Sequence, residues 1–596
     1  MTAPAASVAN TRLVTRLFLT NRGSNLHLQR TALTSEFPAL ARGSILQARC
    51  SASRTGSLPR RLHRTPWHRV LIAALALPTL YCFQNAVEIY AEAPTSRHED
   101  SRIFSLDEIR QHDASAKRQW VIKGNRVYDI TDWIPSHPGG EVILRAAGGA
   151  VDAYWDIFTI HKKPEVYETL EMYYIGDVAP DDLTNGKVAT DKIEDPFRTD
   201  PERDPSLIVH SQKPFNAETQ PEDLEPFITP NSKFYVRNHL WTPAGDEPSH
   251  TLRVELPSGD EKAYTLTDLQ TKFPTITITA SLQCCGNRRR HMSSSSRSTQ
   301  GLPWSVGGIS TATWTGVRLR DILSDAGLNV TDPDPSAQHV QFTGAEAYGA
   351  SIPLDKAVSR SGDTILAFAM NGAPLPRDHG FPLRAIVPGT TAARSVKWLS
   401  GIRVSDEESQ SQWQQRDYKC FGPNQGPEDV DWASAPAIQE TPVQSAITCV
   451  REISAHESHE RERLRVYGLE EDAIRVTGYA ISGGGRRIVR VDVSADDGRT
   501  WDQAVLLAAP GGDEGIGIGA VGEKGKRKGL PAGGGKAWAW TRWEWIVPKR
   551  LAGRVFVVKA VDEAYNVQPD SFEAQYNFRG MLANAWHRVK YERVDE

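Results

Sequence analysis

Gln283-Cys284-Cys285-Gly286-Asn287-Arg288-Arg289, with Arg290 next in line, sets two adjacent thiols beside a run of guanidinium groups. The chain has only six cysteines, Cys50, Cys82, Cys284, Cys285, Cys420 and Cys449. Their spacing suits neither a disulfide framework nor a zinc site, so they do not report the redox compartment. The adjacent pair is the unusual feature. Upstream of it lies Phe234-Tyr235-Val236-Arg237-Asn238-His239, whose arginine precedes Cys284 by 47 residues. Downstream come Asp378-His379-Gly380-Phe381-Pro382-Leu383-Arg384, then Ser395-Val396-Lys397-Trp398-Leu399, then Arg416-Asp417-Tyr418-Lys419.

This set, in this order, resembles the molybdenum domain of the sulfite oxidase family, a fold shared with assimilatory nitrate reductases. The resemblance extends over nearly all of residues 101 to 596. It implies a molybdenum ion held by the dithiolene of a pterin and by one protein thiolate, since a soft anionic sulfur suits such a metal. By motif position that thiolate is Cys284, and Arg288, Arg289 and Arg290 are expected to depress its thiol pKa. Cys285 stands where the family has a small residue and reads as a packed neighbour, while Cys420 stands where the family has glycine. Sulfite and sulfate are oxyanions, for which arginine supplies a planar fork of donors. The resemblance places Arg237, Arg289 and Arg579 (in Asn577-Phe578-Arg579-Gly580) around substrate, with Trp304 and Tyr418 completing the pocket. It assigns the pterin and its phosphate to Phe234, Tyr235, Val236, Arg237, Asn238, His239, His379, Arg384, Ser395, Val396 and Lys397, several of which should be buried.

Before this region, WVIKGNRVYDIT (120–131) reads as a hairpin turning at Gly124-Asn125, and EVILRAAG (141–148) as a helix. Between them, Trp133-Ile134-Pro135-Ser136-His137-Pro138-Gly139-Gly140 presents a histidine on a turn that proline and glycine shape for close approach to a flat ligand. His161 follows 24 residues later, after the aromatic stretch AYWDIFTI. The pattern resembles the cytochrome b5 family over about 78 residues, with His137 and His161 as the two axial ligands of a haem. Two histidines leave the iron no open position, so such a haem carries electrons and does not bind oxygen. Residues 101–178 hold nine Lys and Arg against twelve Asp and Glu. That surface could steer a basic partner such as cytochrome c, or simply be solvated.

Residues 179–226 are rich in charge and proline, as in EDPFRTDPERDP, and read as an exposed tether between domains. After Ser434 the runs IRVTGYAIS, IVRVDVSA, WTRWEWIVP and RVFVVKAVDEA alternate in the manner of strands and suggest an immunoglobulin-like sandwich, which in the family forms the homodimer contact. Glu452–Arg465 and Pro510–Lys536 depart from the family pattern and read as solvated surface loops. The second lacks the ending and context of a phosphate-binding loop.

From Met1 to Arg69 there are eleven Arg, no Lys and one acidic residue, Glu36, the composition of a mitochondrial transit peptide. Val70–Phe83 is an apolar run of 14 residues, short of the roughly 20 that span a bilayer. Together they look like a two-part signal for the intermembrane space, cleaved between Phe83 and Ser101. The alternative is a disordered basic tail with a weak membrane anchor.

At 596 residues and a net charge of -4 the chain calls for several cores and gives no support to nucleic-acid binding. The expected fold class is α+β multidomain: a sorting segment (1–100), a cytochrome b5-like haem domain (101–178), a linker (179–226), a mixed α+β molybdenum-cofactor domain (227–433) and an immunoglobulin-like β-sandwich (434–596). The expected function, in sulfur metabolism, is oxidation of sulfite to sulfate at molybdenum-molybdopterin. Electrons leave singly through haem b to cytochrome c, in a homodimer without a permanent membrane span. The rival readings are a nitrate reductase-like molybdoenzyme, which would place the haem after the dimer domain and add a flavin and nicotinamide module, and a noncatalytic haem electron-transfer protein.

Overall fold

Gly124, at φ 69°, turns the chain between strands Trp120–Lys123 and Arg126–Asp129, which pair antiparallel with Lys123 opposite Arg126. A computed structural model of the chain describes residues 102–134, 137, 140–158, 161, 164–188, 195–245, 247–345, 348–428, 430–508 and 535–592. The hairpin is the centre of a five-stranded sheet with Ile103–Phe104, Tyr174–Val178 and Gly149–Ala150. Its β-branched and aromatic residues, Ile122, Val127, Phe104 and Trp120, close one core with Ile109. The helix expected after the histidine turn is a 3-10 helix, Gly140–Ala146. Pro135, Ser136, Pro138 and Gly139 lie outside the described residues, as do the sorting segment and all of 510–536 except its last two residues.

The central region is built on two larger sheets. Thr275–Gln283 pairs along its whole length with Ile309–Arg318, from Thr275 opposite Val317 to Gln283 opposite Ile309, and Ile365–Met370 continues that sheet. The other sheet runs Glu261–Thr265, Thr251–Glu255, Leu399–Ser405, His339–Gly344, Gly349–Pro353. A single apolar core joins them, with Leu252, Val254, Val317, Phe342, Leu366 and Leu399 fully buried.

The tether expected over 179–226 is folded from Asp195 onward. Ile208–Gln212, Phe215–Glu218 and Val236–Arg237 form a three-stranded sheet that buries Leu207, Phe215 and Ala217 against Val236. Part of the charge that made the segment look solvated is engaged inside the molecule: Arg203 forks on to Asp378 and also meets Asp200.

The C-terminal region is the expected sandwich. One sheet runs Gln444–Ile453, Ala473–Ile481, Thr541–Pro548, Val505–Leu506. The facing sheet runs Asp502–Gln503, Ile488–Ser494, Val555–Asp562, His587–Lys590. Val476, Val491, Val493, Trp543, Phe556 and Val558 fill the space between them, the inward half of each alternating strand. The expected loop at 452–465 is instead largely a helix, Ser458–Val466. It buries Leu464 against Ile453, Ala473 and Ile546, and its buried Glu460 takes hydrogen bonds from Arg451 and Arg463. Leu464 and the paired Glu460 together dock this polar helix. No helix among the described residues is long and apolar enough to cross a membrane.

Candidate functional site

Strand Thr275–Gln283 becomes buried toward its C-terminal end and delivers Cys284 into the interior. The cysteine's N–H donates to the Gly308 carbonyl (2.8 Å), and the Asn287 N–H closes the turn on the Cys284 carbonyl (2.9 Å). Asn287 is itself held by Gly308 N–H (3.1 Å) and the Tyr479 hydroxyl (3.0 Å). The thiol opens on a cavity holding about 790 Å³ of space free of protein atoms, part of it open to solvent. Its wall also carries Phe234, Tyr235, Arg237, Asn238, His239, His379, Arg384, Ser395, Val396, Lys397 and Tyr418. Five separate motifs therefore meet on one cavity.

The wall is cationic. Arg384 donates to the carbonyls of His379 (2.9 Å) and Ser395 (3.0 Å), and burial pulls its pKa down to about 10. Lys397 Nζ donates to the carbonyls of Arg237 (3.1 Å) and Asp378 (2.8 Å) and to Asn238 Oδ1. Its pKa is pushed well below the usual lysine value by burial and by Arg384 and Arg237, which outweigh Asp378. Arg237 donates to Asn238 O (2.6 Å) and Asn216 Oδ1 (3.1 Å). Burial opposes its charge, yet Tyr418 and Cys284 hold its pKa up. These three basic side chains share the wall with one carboxylate, Asp378, which is already engaged by Arg203.

His379 is neutral: burial lowers its pKa to about 3, and its Nε2 lies 3.2 Å from the Asn231 carbonyl, to which it donates. Burial likewise drives His239 well below 6.5, aided by Arg237. Tyr418 is held as a phenol by burial, and its hydroxyl reaches His239 Nε2 at 3.0 Å. Tyr348, which no motif pointed to, stacks on His239 with ring centres 4.8 Å apart and donates to the Ala393 carbonyl (3.0 Å). It comes to the site from a strand entry with no local chemical signal.

Other expected site residues lie beside the cavity without lining it. Arg289 donates to the carbonyls of Arg579 (2.8 Å) and Leu302 (2.8 Å). Arg579 pairs with Asp417, next to Tyr418. Trp304 is fully buried, edge-on to Tyr235 and His210, and Val236, itself in the three-stranded sheet, packs on Leu207, Phe215 and Ala217.

The expected depression of the Cys284 thiol needs correction. Burial raises its pKa, and the opposing charges are those of Arg237 and Arg289. Arg288 points elsewhere, on to the carbonyls of Ser445 (3.2 Å) and Trp586 (3.3 Å). A bound metal cation would settle the thiol as thiolate, since a coordinating thiol is deprotonated outright. Cys285 packs with Trp413, Tyr418, Ile438 and Met581, with Cys420 against the same cluster.

In the haem domain His137 and His161 face each other with ring centres 6.3 Å apart. That gap fits one metal bonded at about 2 Å to a nitrogen of each ring. Burial and the neighbouring His137 lower His161 to about 4, which keeps it neutral and able to ligate, and its Nδ1 is buried without a hydrogen-bond partner.

Three family models match the chain in order: a cytochrome b5-like heme/steroid binding domain over 105–179, an oxidoreductase molybdopterin binding domain over 239–413, and a Mo-co oxidoreductase dimerisation domain over 435–594. Sulfite oxidase of Gallus gallus is 45% identical over 494 residues, 81% of this chain and 99% of that protein. The chain belongs to the sulfite oxidase family. The mitochondrial sulfite oxidase of Homo sapiens is 43% identical, covering 82% of this chain and 84% of its own length. Nitrate reductase [NADH] 1 of Oryza sativa is 35% identical over 65% of this chain and 41% of itself. The sulfite oxidase family's two cofactors, molybdenum-molybdopterin and haem b, suit the two sites: a thiol in a cationic cavity for the first, opposed neutral imidazoles for the second.

Proposed function

We propose that the chain oxidises sulfite to sulfate and delivers the electrons, through its own haem domain, to cytochrome c in the mitochondrial intermembrane space. The observation that carries this reading is the meeting of Cys284, Arg237 and Tyr418 on one cationic cavity, in a chain that also opposes two histidines in a haem domain. Cys284 would hold the molybdenum, with Arg384, Ser395, Lys397, His379 and the Phe234–His239 segment around the pterin. That cofactor supplies two-electron oxidation with oxygen-atom transfer, and haem b supplies one-electron carriage.

The protein's part is binding and orientation. A sulfite dianion entering the cavity meets the charge of Arg237, with Arg289 and Arg579 adding positive potential at Cys284 and His239. The Tyr418 hydroxyl, aligned by neutral His239, supplies a hydrogen bond that costs no reorganisation. The overall balance is sulfite plus one water to sulfate, two protons and two electrons, so two cytochrome c molecules are reduced per turnover. The dimerisation domain supports a homodimer, and the Arg-rich Met1–Arg69 segment supports mitochondrial import.

The test uses purified full-length chain loaded with both cofactors. Sulfite should reduce cytochrome c, and Cys284→Ala should abolish this while keeping the haem spectrum and losing molybdenum. Sulfite-dependent reduction that survives in Cys284→Ala would overturn the assignment of the thiolate. Its absence in the loaded parent protein would overturn the function.

A further inference from the structure

A line of packed aromatic rings runs from the haem ligand His161 to the wall of the molybdenum-cofactor cavity. The Phe158 ring centre lies 5.8 Å from that of His161 and 5.5 Å from that of Phe197. Phe197 in turn meets Trp241 edge-to-face at 6.2 Å. Leu240 and Trp241 follow His239 directly, and Leu240 and His239 both line the cavity. Val142 and Ile157 pack into the same cluster from the haem side, and the Arg145 guanidinium sits 4.3 Å over the Trp241 ring.

Each of the two domains contributes its cofactor-bearing side. Ile157 ends and Phe158 caps the helix leading to His161, Val142 and Arg145 belong to the 3-10 helix after the His137 turn, and Trp241 lies two residues beyond His239, the end of its motif. The middle ring, Phe197, comes from the segment between the domains, and that segment is clamped. Asp195 Oδ1 accepts from the Phe197 N–H (3.0 Å), Asp200 Oδ1 accepts from the Thr242 N–H (2.9 Å), and Arg203 forks on to Asp378. Phe197 and Trp241 are buried.

We propose that Phe158, Phe197 and Trp241 are the docking contact and the bridge by which single electrons pass from the molybdenum site to the haem. The proposal rests on the function inferred above. In each crossing the molybdenum cofactor loses one electron and ferric haem iron gains it to become ferrous. Two crossings follow each sulfite oxidised, with the haem reoxidised by an external one-electron acceptor between them. The rings keep their oxidation state; they exclude water from the gap and hold the two domains in register. Arg145 over Trp241 adds a cation–π contact that favours the docked arrangement.

The test measures intramolecular electron transfer in the doubly loaded full chain. The haem is reduced by a laser flash and its re-equilibration with the molybdenum centre is followed by haem absorbance, with sulfite-driven haem reduction in a rapid mixer as a second readout. Phe197→Ala, Phe158→Leu and Trp241→Leu should each slow the flash-induced phase by about tenfold or more, through loss of ring pairs and of the docked population. Trp241→Phe, which keeps a ring, should stay within about threefold of the parent. Haem spectrum and molybdenum content show that both domains have folded. Should a core ring variant fail that check, Arg145→Gln, a surface change on the haem domain, still decides the matter and should slow transfer by about twofold to tenfold. Transfer within error of the parent in the folded ring variants or in Arg145→Gln would refute the bridge while leaving the function intact. A parent protein whose haem transfers electrons in the flash but is not reduced by sulfite would refute the function and leave the bridge standing.

Discussion

Replacing Asp378 by asparagine should loosen the molybdenum domain where it grips both the interdomain segment and the cofactor. Asp378 is buried and accepts four hydrogen bonds: Arg203 Nε (2.8 Å), Arg203 Nη2 (2.9 Å), Thr242 Oγ1 (2.8 Å) and Asn238 Nδ2 (3.1 Å). An asparagine of the same size keeps one acceptor and turns an amide donor toward at least one of these donors. Burial alone would raise the aspartate's pKa, but Arg203 overrides it and holds the group at about 2. Against an ordinary 3.8 that depression is worth about 2 kcal/mol, while removing one member of a buried pair costs about 3–5 kcal/mol. Arg203 keeps a second partner in Asp200 at 2.8 Å, so the loss should fall at about 2–4 kcal/mol. Urea unfolding followed by tryptophan fluorescence should show the central transition shifted by that amount. A double-mutant cycle with Arg203→Gln should return a coupling of about 1–3 kcal/mol. Additive single effects, or an Asp378→Asn protein within about 0.5 kcal/mol of the parent, would show that the pair does not hold the segment and would also weaken the case for a fixed Phe197.

Acidification should destabilise the chain well above the carboxylate range. Burial lowers His291 and His379 to about 3 from an ordinary 6.5, so the unfolded chain takes up their protons first; their stabilisation is intact above 6.5 and is lost as pH falls toward 3. At pH 5 the two together should cost about 4 kcal/mol relative to pH 8, and a flat unfolding midpoint between those values would refute their neutrality. Gly286→Ala places a methyl 2.7 Å from the Arg289 guanidinium, which is anchored to two carbonyls, and should cost about 1–3 kcal/mol in the same assay. An unchanged midpoint would mean that Arg289 swings free. Leu464→Ala should cost about 2–5 kcal/mol, because its side chain is the apolar anchor of the helix Ser458–Val466; a cost near zero would mean that the helix is merely solvated surface.

The contents of the cofactor cavity were legible in the sequence wherever chemistry is carried by short motifs. Phe234–His239, Cys284, His379–Arg384, Ser395–Lys397 and Tyr418 are recognisable as an ordered set, and folding had only to bring them to one wall. The strands of the sandwich were legible for a related reason, because alternation is local. What the sequence hid were relations between distant residues. Charge density over 195–226 reads as solvation until Arg203 finds Asp378, 175 positions away, and a polar helix reads as a loop until Leu464 finds its pocket. The same distinction governs the thiol. Arg288 and Arg290 are neighbours of Cys284 in the chain, yet the charges that bear on the sulfur come from Arg237 and Arg289. Even these do not overcome burial. A thiol so placed stays protonated until a cation arrives, so binding a metal there would release its proton. The Arg237 and Arg384 guanidinium groups line the same cavity, with Asp378 already committed to Arg203, and would offset the charge of an anionic ligand. Stability of the central domain should therefore depend on cofactor more steeply than its apolar core would suggest, through linkage of binding to folding.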